Sequence, residues 1–168
     1  MTPKVSIIMG STSDLSVMEM AARTLDEFEV PFEMNALSAH RTPDEVEKFA
    51  RSAQKRGIKV IIAGAGMAAH LPGVIAAMTP LPVIGVPIKV GLEGLDSILS
   101  ILQMPPGIPV ATVTVNGAQN AAILALQMMA TGDQELMEKL VAFKEKLKDK
   151  IVKANSELAA VKFNFKTN

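Results

Sequence analysis

Residues 58–73 read IKVIIAGAGMAAHLPG, and this stretch decides the fold. Its first part, 58–64, is almost continuously apolar and rich in β-branched residues, as a parallel strand covered by helices on both faces is. Glycines at the end of the run mark a turn, and a helix is predicted after it, from about Met67 to Met78. The stretch therefore predicts a strand–turn–helix unit of an α/β protein.

Strand and helix patterns alternate on both sides of this unit. The predicted strands are 4–9, 31–38, 58–64, 81–86 and 108–115, and the other predicted helices are 14–29, a helix from 42, 92–102, 118–130 and 134–160. Thr42, Pro43 and Glu45 predict a capping box at the start of the second helix. Strands joined by helices of this length predict one doubly wound α/β domain over residues 1–168, with a C-terminal helix at about 133–161 that we expect to pack on a neighbouring subunit.

Composition narrows the class of protein. Lys plus Arg and Asp plus Glu number 17 each, so no basic excess points to nucleic acid. The absence of cysteine excludes disulfides and thiolate chemistry. No apolar run reaches the ~18 residues of a membrane span, and residues 1–10 indicate a first strand rather than a signal peptide. We expect a cytoplasmic protein, and a hydrophobic content of 49% favours an oligomer.

Residues 64–69, GAGMAA, fit the G-x-G-x-x-A pattern of dinucleotide-binding proteins. That pattern belongs in the first strand–helix turn and requires an acidic residue about 20 positions later to bind the ribose. Here the glycines follow the third predicted strand, and no Asp or Glu lies between the pattern and Glu93. A dinucleotide-binding function is therefore rejected.

Polar side chains follow the first three predicted strands. They are Ser11, Ser13 and Asp14 after the first, Ser38, His40 and Arg41 after the second, and His70 after the third. In a sheet of order 2-1-3-4-5 these turns meet at one edge, where open α/β sheets bind ligands. Each residue alone has a plain structural explanation, as a helix cap, a solvated charge or a packed histidine. Their coincidence at one edge favours a site.

The residue types indicate what this site binds. Arg41, serine hydroxyls and helix N-termini suit a phosphate, and Asp14 suits sugar hydroxyls. A histidine can act as general acid or base near neutral pH. The chain has no Walker lysine motif, and two histidines without nearby carboxylates make a poor metal site. The residues predict proton-transfer chemistry on a small phosphorylated sugar derivative, without a metal or nucleotide cofactor.

Several segments resemble the N5-carboxyaminoimidazole ribonucleotide mutases, the bacterial form of the phosphoribosylaminoimidazole carboxylase catalytic-subunit family. They are MGSTSD (9–14), SAHRTP (38–43), AGAGMAAHLPG (63–73), GVP (85–87) and QMPPGIPV (103–110). The resemblance extends to about residue 131. It implies a flavodoxin-like three-layer αβα sandwich with a five-stranded parallel sheet. It also implies a homo-octamer with active sites at subunit interfaces.

The activity that the resemblance implies is an isomerase reaction of de novo purine biosynthesis. N5-carboxyaminoimidazole ribonucleotide becomes 4-carboxy-5-aminoimidazole ribonucleotide, without ATP or metal. In the family's mechanism the carbamate loses carbon dioxide, the ring carbon attacks it, and a histidine transfers the proton. A transient contact with the ATP-dependent enzyme that makes the substrate is a further expectation.

The resemblance also assigns residues. His40 matches the general acid/base. The substrate-binding positions are Ser11, Ser13, Asp14, Ser38, Arg41, Ala65, Gly66, His70 and Leu71, with Arg41 on the phosphate and the last four around the migrating carboxyl group. Met67 replaces a glycine of the family pattern, and we expect its side chain to point away from the pocket.

Two other functions stay open. A related carboxylase uses free carbon dioxide directly on aminoimidazole ribonucleotide, and it shares the fold and the first turn. The AAHLPG segment, 68–73, resembles the mutase form instead. A non-catalytic nucleotide-binding module would retain the phosphate turn and bind without turnover.

Overall fold

The computed structural model describes residues 1–167 of the chain. These residues form two compact units, one from Met1 to Met129 and one from Ala130 onward. The first unit contains the whole sheet, and the second contains the long C-terminal helix. Whether the chain behaves as one domain, as the sequence predicts, stays a prediction.

A five-stranded parallel sheet forms the centre of the first unit. Its strands are β1 (Val5–Met9), β2 (Phe32–Ala36), β3 (Val60–Gly66), β4 (Val83–Ile88) and β5 (Ala111–Thr112), in the order β2-β1-β3-β4-β5. All four pairings are parallel. The doubly wound topology and the strand order predicted from the sequence are confirmed.

Helices connect the strands and cover the sheet on both sides. They are α1 (Leu15–Glu27), α2 (Pro43–Ala53), α3 (Leu71–Ala76), α4 (Leu95–Leu102) and α5 (Ala118–Ala130), with short 3-10 turns at Thr12–Asp14 and Leu92–Gly94. The strands β1, β3 and β4 are buried almost throughout, which is why their sequences are continuously apolar. The three-layer αβα sandwich of flavodoxin-like type is confirmed.

The close packing of α1 on β3 explains why residue 64 is a glycine. A side chain on Gly64 would collide with the thioether of Met18, which is fully buried in α1. On the other face, Val46 and Phe49 of α2 pack with Ile8 and Ile75 in one hydrophobic cluster. The sheet is therefore packed against helices on both faces, and its carboxyl edge carries the turns described below.

Two predicted elements differ from the structure. The helix after β3 begins at Leu71 rather than at Met67, because the backbone of Met67 has a φ of 56°, outside the right-handed helical region. The last strand has two residues instead of 108–115. Pro109 lacks the N–H that a longer strand would need, and only isolated bonds, such as that from Asn116 N to Pro87 O at 2.8 Å, continue the pairing.

The predicted start of the second helix is confirmed, with Thr42 at the N-cap and Pro43 as the first residue of α2, but the predicted capping box is wrong. Thr42 precedes α2, but its hydroxyl makes no capping bond to the helix. Instead, Thr42 Oγ1 accepts a hydrogen bond from Ser38 N at 2.9 Å and donates one to Ser38 O at 3.2 Å. The Thr42 hydroxyl therefore closes the turn that begins at Ser38 and does not cap α2.

The second unit is built around α6 (Gln134–Ala160), as the amphipathic pattern predicts. Asp133 caps this helix, because its Oδ1 accepts a hydrogen bond from Leu136 N at 3.1 Å. Leu136 and Leu140 are buried, whereas Ile151 and Leu158 are exposed. Over residues 1–167 no helix has the length and apolar character that crossing a membrane requires.

Candidate active site

A cleft of about 640 Å³ opens at the carboxyl ends of β1, β2 and β3. All ten residues that the sequence singles out line it, namely Ser11, Ser13, Asp14, Ser38, His40, Arg41, Ala65, Gly66, His70 and Leu71. The three turns therefore converge as predicted, because neighbouring parallel strands end at the same edge of the sheet. The roles of these residues remain predictions.

The turn after β1 is a compact hydroxyl-bearing loop. Ser11 adopts an extended backbone, and its Oγ accepts a hydrogen bond from Ser13 N at 3.3 Å. Asp14 N donates to Ser11 O at 3.1 Å, which closes the 3-10 turn. The capping role of Ser11 is thus real, and the turn still presents the polar groups of Ser11, Ser13 and Asp14 to the cleft.

Asp14 is the one strongly buried charged residue of the cleft, with 8% of its surface exposed. Burial raises the pKa of its carboxyl group, because an ion loses hydration energy in a poorly solvated position. Hydrogen bonds from Ser11 and Ser13, and the charge of Arg41, oppose this shift only in part. A carboxylate with little access to water is strongly stabilised when a hydroxyl group, such as one of a sugar, donates a hydrogen bond to it.

The turn after β2 holds Arg41 in a defined position. Arg41 N and Nε both donate to Ser38 Oγ, at 3.2 and 3.4 Å. Arg41 Nη2 donates to the backbone oxygen of Gly10 at 3.2 Å, which connects this turn to the turn after β1. The guanidinium therefore stands beside the serine-rich turn, where its remaining N–H groups can bind an anion.

The end of β3 packs tightly against the end of β4 and the residues that follow it. A Cβ on Gly66 would lie 3.1 Å from Ile88 O and would collide with Val90, so this position has no room for a side chain. Met67 follows with a φ of 56°, a region that favours glycine, and 60% of its surface is exposed. Met67 borders the cleft, and the expectation that its side chain points away from the pocket stays a prediction.

The two histidines of the chain contact each other. His40 Nε2 lies 2.7 Å from His70 Nδ1, and the rings meet edge to face, with centroids 4.9 Å apart and planes at 84°. His70 stands at the start of α3, and His40 stands on the turn before α2. The sequence places both imidazoles at one edge of the sheet, but it contains no sign of a direct bond.

The cleft also includes residues that sequence reasoning missed. They are Gly10, Ala39, Ala68 and Val90. Val90 follows β4, the strand next to β3, so extending the search from three turns to the fourth would have found it. Within residues 1–167 no group of three or more His, Cys, Asp or Glu side chains is arranged to hold a metal ion.

Comparison with known proteins places this site in a family. The model of the AIR carboxylase family matches residues 4–150. The chain belongs to the AIR carboxylase family. The match includes every one of the cleft residues, so the resemblance predicted from the sequence segments is confirmed.

The relatives of this chain are named either as mutases or as carboxylases. The N5-carboxyaminoimidazole ribonucleotide mutase of Pyrococcus abyssi is 62% identical over 147 residues, which cover 87% of this chain and 84% of that protein. The mutase of Mycobacterium tuberculosis is 54% identical, over 93% of this chain and 90% of that protein. The phosphoribosylaminoimidazole carboxylase of Schizosaccharomyces pombe is 55% identical over 95% of this chain but only 29% of its own length.

Solved structures agree with the fold of the AIR carboxylase family. The crystal structure of Treponema denticola PurE superposes with a TM-score of 0.84 and 30% identity. The match covers 93% of this chain and 98% of that chain. The architecture described here is therefore that of the family over nearly its whole length.

Proposed function

We propose that this protein is a mutase that converts N5-carboxyaminoimidazole ribonucleotide to 4-carboxy-5-aminoimidazole ribonucleotide in purine biosynthesis. The observation that carries the proposal is the gathering of His40, the Arg41 anion site and the hydroxyl-bearing first turn in one cleft. Relatives of similar length with 54% and 62% identity bear the name of this mutase, which supports the same substrate class.

The cleft has a group for each part of such a substrate. Arg41 and the Ser11–Ser13 turn bind the phosphate, and the buried Asp14 accepts hydrogen bonds from ribose hydroxyls. These contacts fix the aminoimidazole ring next to the histidines. The small residues Ala65 and Gly66 leave room for the carboxyl group that migrates.

His40 transfers the proton. As the N5–carboxyl bond breaks, the His40 imidazolium protonates N5 and carbon dioxide is released into the cleft. The ring carbon C4 then attacks carbon dioxide and forms the new C–C bond, and the proton leaving C4 returns to the neutral imidazole. His40 gives one proton to N5 and recovers one from C4, so the reaction consumes no net proton and is written without ATP, a metal or any other cofactor.

A turnover assay separates the mutase from the carboxylase. One sample contains N5-carboxyaminoimidazole ribonucleotide with chelator and no ATP, and a parallel sample contains aminoimidazole ribonucleotide with bicarbonate. Rapid conversion in the first sample and slow conversion in the second are expected. Efficient use of the second substrate alone would make the protein a carboxylase, the function named for the Schizosaccharomyces pombe relative.

A substitution separates catalysis from mere binding. His40→Asn is expected to abolish turnover and to leave substrate affinity largely intact, because Asn cannot take up and release a proton near neutral pH. Calorimetric titration with the product measures the affinity. Binding by the wild type without any turnover would leave only the nucleotide-binding module.

The oligomeric state belongs to the same proposal. An octamer requires apolar surface that a lone chain leaves exposed, and α4 presents Leu95, Leu99 and Leu102 to solvent, while α6 presents Ile151 and Leu158. Native mass spectrometry of the full chain should give eight subunits. Truncation after Thr131 should lower the stability or the subunit number if α6 packs on a neighbour.

The cellular setting follows from the chemistry. The substrate is an unstable carbamate made by an ATP-dependent enzyme, so we place the protein in the cytoplasm with a transient contact to that enzyme. Cross-linking of the two purified enzymes during turnover measures the contact. Full activity when the two are separated by a dialysis membrane would contradict a required contact.

A further inference from the structure

We propose that His70 is a positioning residue that accepts a hydrogen bond from Nε2 of His40 and leaves Nδ1 of His40 as the nitrogen that exchanges the proton. The inference rests on the proposed function of the same cleft. It concerns which ring nitrogen of His40 exchanges the proton with the substrate and which group holds the ring in position.

The short contact between the rings determines the number of protons between them. Nε2 of His40 and Nδ1 of His70 lie 2.7 Å apart. At this distance two hydrogens between the nitrogens would clash, and two bare nitrogens would repel through their lone pairs. One proton therefore lies between the rings, and the tautomer of each ring depends on that of the other.

The direction of this bond decides what His40 can do. If Nδ1 of His70 donates, the neutral His40 ring accepts at Nε2 and carries its own proton on Nδ1. Neither nitrogen of His40 is then available as a base. If Nε2 of His40 donates, Nδ1 is bare in the neutral ring and protonated in the imidazolium. His40 can then act as base and as acid without breaking the bond.

The surroundings of the pair leave Nδ1 of His40 open, as the second direction requires. Among the residues that the structure describes, neither ring makes a hydrogen bond other than the one they share. Nδ1 of His40 thus has no hydrogen-bond partner among the described residues of its own chain, and we assign it to the substrate. The acceptor is well anchored, because His70 N donates to Ala68 O at 2.8 Å and His70 O accepts from Val74 N at 3.0 Å at the start of α3.

The proton balance of the proposed reaction fits this arrangement. Nδ1–H of the His40 imidazolium protonates N5 while the carbamate C–N bond breaks, and the same Nδ1 later takes the proton from C4. Nε2–H of His40 stays bonded to His70 in both steps. A ring held in this way does not have to reorient between acting as acid and acting as base.

Nuclear magnetic resonance tests the pair without any turnover. The chain has only 2 histidines, so labelling their ring nitrogens with the heavy nitrogen isotope leaves only these nitrogens to assign. In the free wild-type protein we expect a scalar coupling across the hydrogen bond, with the proton attached to Nε2 of His40. A proton attached to Nδ1 of His70, or no coupling at all, would overturn the inference.

Kinetics of two substitutions test the positioning role. His70→Ala should lower kcat by about 10–100-fold with little change in KM, as the loss of a group that orients a working imidazole does. His70→Asn places an amide oxygen close to the position of Nδ1 and should recover most of kcat. A raised KM with unchanged kcat in His70→Ala, or no recovery in His70→Asn, would contradict positioning.

The two experiments keep the inference apart from the proposed function. If the coupling is present but the wild type does not turn over the mutase substrate, the proposed function fails and the bonded pair stands. If turnover is normal but the coupling is absent or reversed, the function stands and the assignment of Nδ1 fails.

Discussion

Arg41 Nη2 donates a hydrogen bond to the backbone oxygen of Gly10 at 3.2 Å, so the turn after β2 is bonded to the turn after β1. The same guanidinium donates to Ser38 Oγ through Nε. These bonds orient the cation before any ligand arrives, which reduces the entropy lost when an anion binds. Arg41 therefore acts both as a structural link and as the positive group of the cleft.

Arg41→Ala should raise KM with a smaller effect on kcat. A charge-assisted hydrogen bond is worth about 1.5–3 kcal/mol, which corresponds to a weakening of roughly 10–100-fold. Arg41→Lys keeps the charge but loses the forked geometry, so it should lie between the wild type and Arg41→Ala. Steady-state kinetics over a range of substrate concentrations give both constants. An unchanged KM in Arg41→Ala would contradict the phosphate role.

Asp14→Asn should stabilise the fold above the range in which Asp14 titrates. Because burial raises the pKa of Asp14, the folded protein binds more protons than the unfolded chain between the ordinary pKa and the raised one. The free energy of unfolding therefore falls as pH rises through this window. Asn does not ionise and escapes this loss, but it offers the ribose one neutral accepting oxygen in place of a charged carboxylate with two.

Urea unfolding of wild type and Asp14→Asn across a pH series measures this effect. The stability difference should be largest above the raised pKa and should shrink as the pH falls toward the ordinary value for aspartate. A difference that grows toward low pH would show that the ionised carboxylate is favoured in the fold, opposite to the direction given above.

The topology and the convergence of the site could be predicted because both depend on simple patterns. The apolar run of β3 requires a position buried on both faces, and parallel neighbours then end at one edge. That edge brings Ser11, His40 and His70 together whatever their rotamers are. Residue types at strand ends therefore carry most of the information about the location of the cleft.

The local bonds could not be predicted, because several partners compete for one side chain. Thr42 precedes Pro43 and Glu45 as in a capping box, yet its hydroxyl bonds to Ser38 at a similar distance along the chain. The contact between His40 and His70 depends on side-chain torsions, which no sequence pattern encodes. Methionine itself gives no sign of the left-handed backbone at Met67, because it rarely adopts this conformation, and only the glycine of the family pattern at this position points to it.

Outside the cleft, Glu33 and Arg56 form a bonded pair that should contribute to stability. Arg56 Nη1 lies 2.7 Å from both carboxylate oxygens of Glu33, and the buried Ser6 donates to Glu33 Oε1 at 3.0 Å. The Arg56 guanidinium also lies over the Phe49 ring, 5.0 Å from its centroid. Glu33→Ala leaves two donors without an acceptor and should cost about 1–3 kcal/mol.

An exposed ion pair of the same chain is the matched control. Glu19 and Arg23 form an i,i+4 pair in α1 whose side chains are largely in water, so Glu19→Ala should change stability by less than about 0.5 kcal/mol. Urea midpoints of Glu33→Ala and Glu19→Ala give the comparison. Equal costs for the two substitutions would contradict a special role for the Glu33–Arg56 pair.

Met67→Gly should stabilise the protein, because Met67 occupies the left-handed region at a φ of 56°. That conformation costs an L-residue about 1–2 kcal/mol, and the larger entropy of an unfolded glycine offsets about 0.5–1 kcal/mol of the relief. Met67→Ala is the control, because it shortens the side chain but keeps the Cβ that causes the strain. Thermal and urea unfolding should rank Met67→Gly above Met67→Ala; the opposite order would show that the methionine side chain, rather than the backbone, determines the stability of this turn.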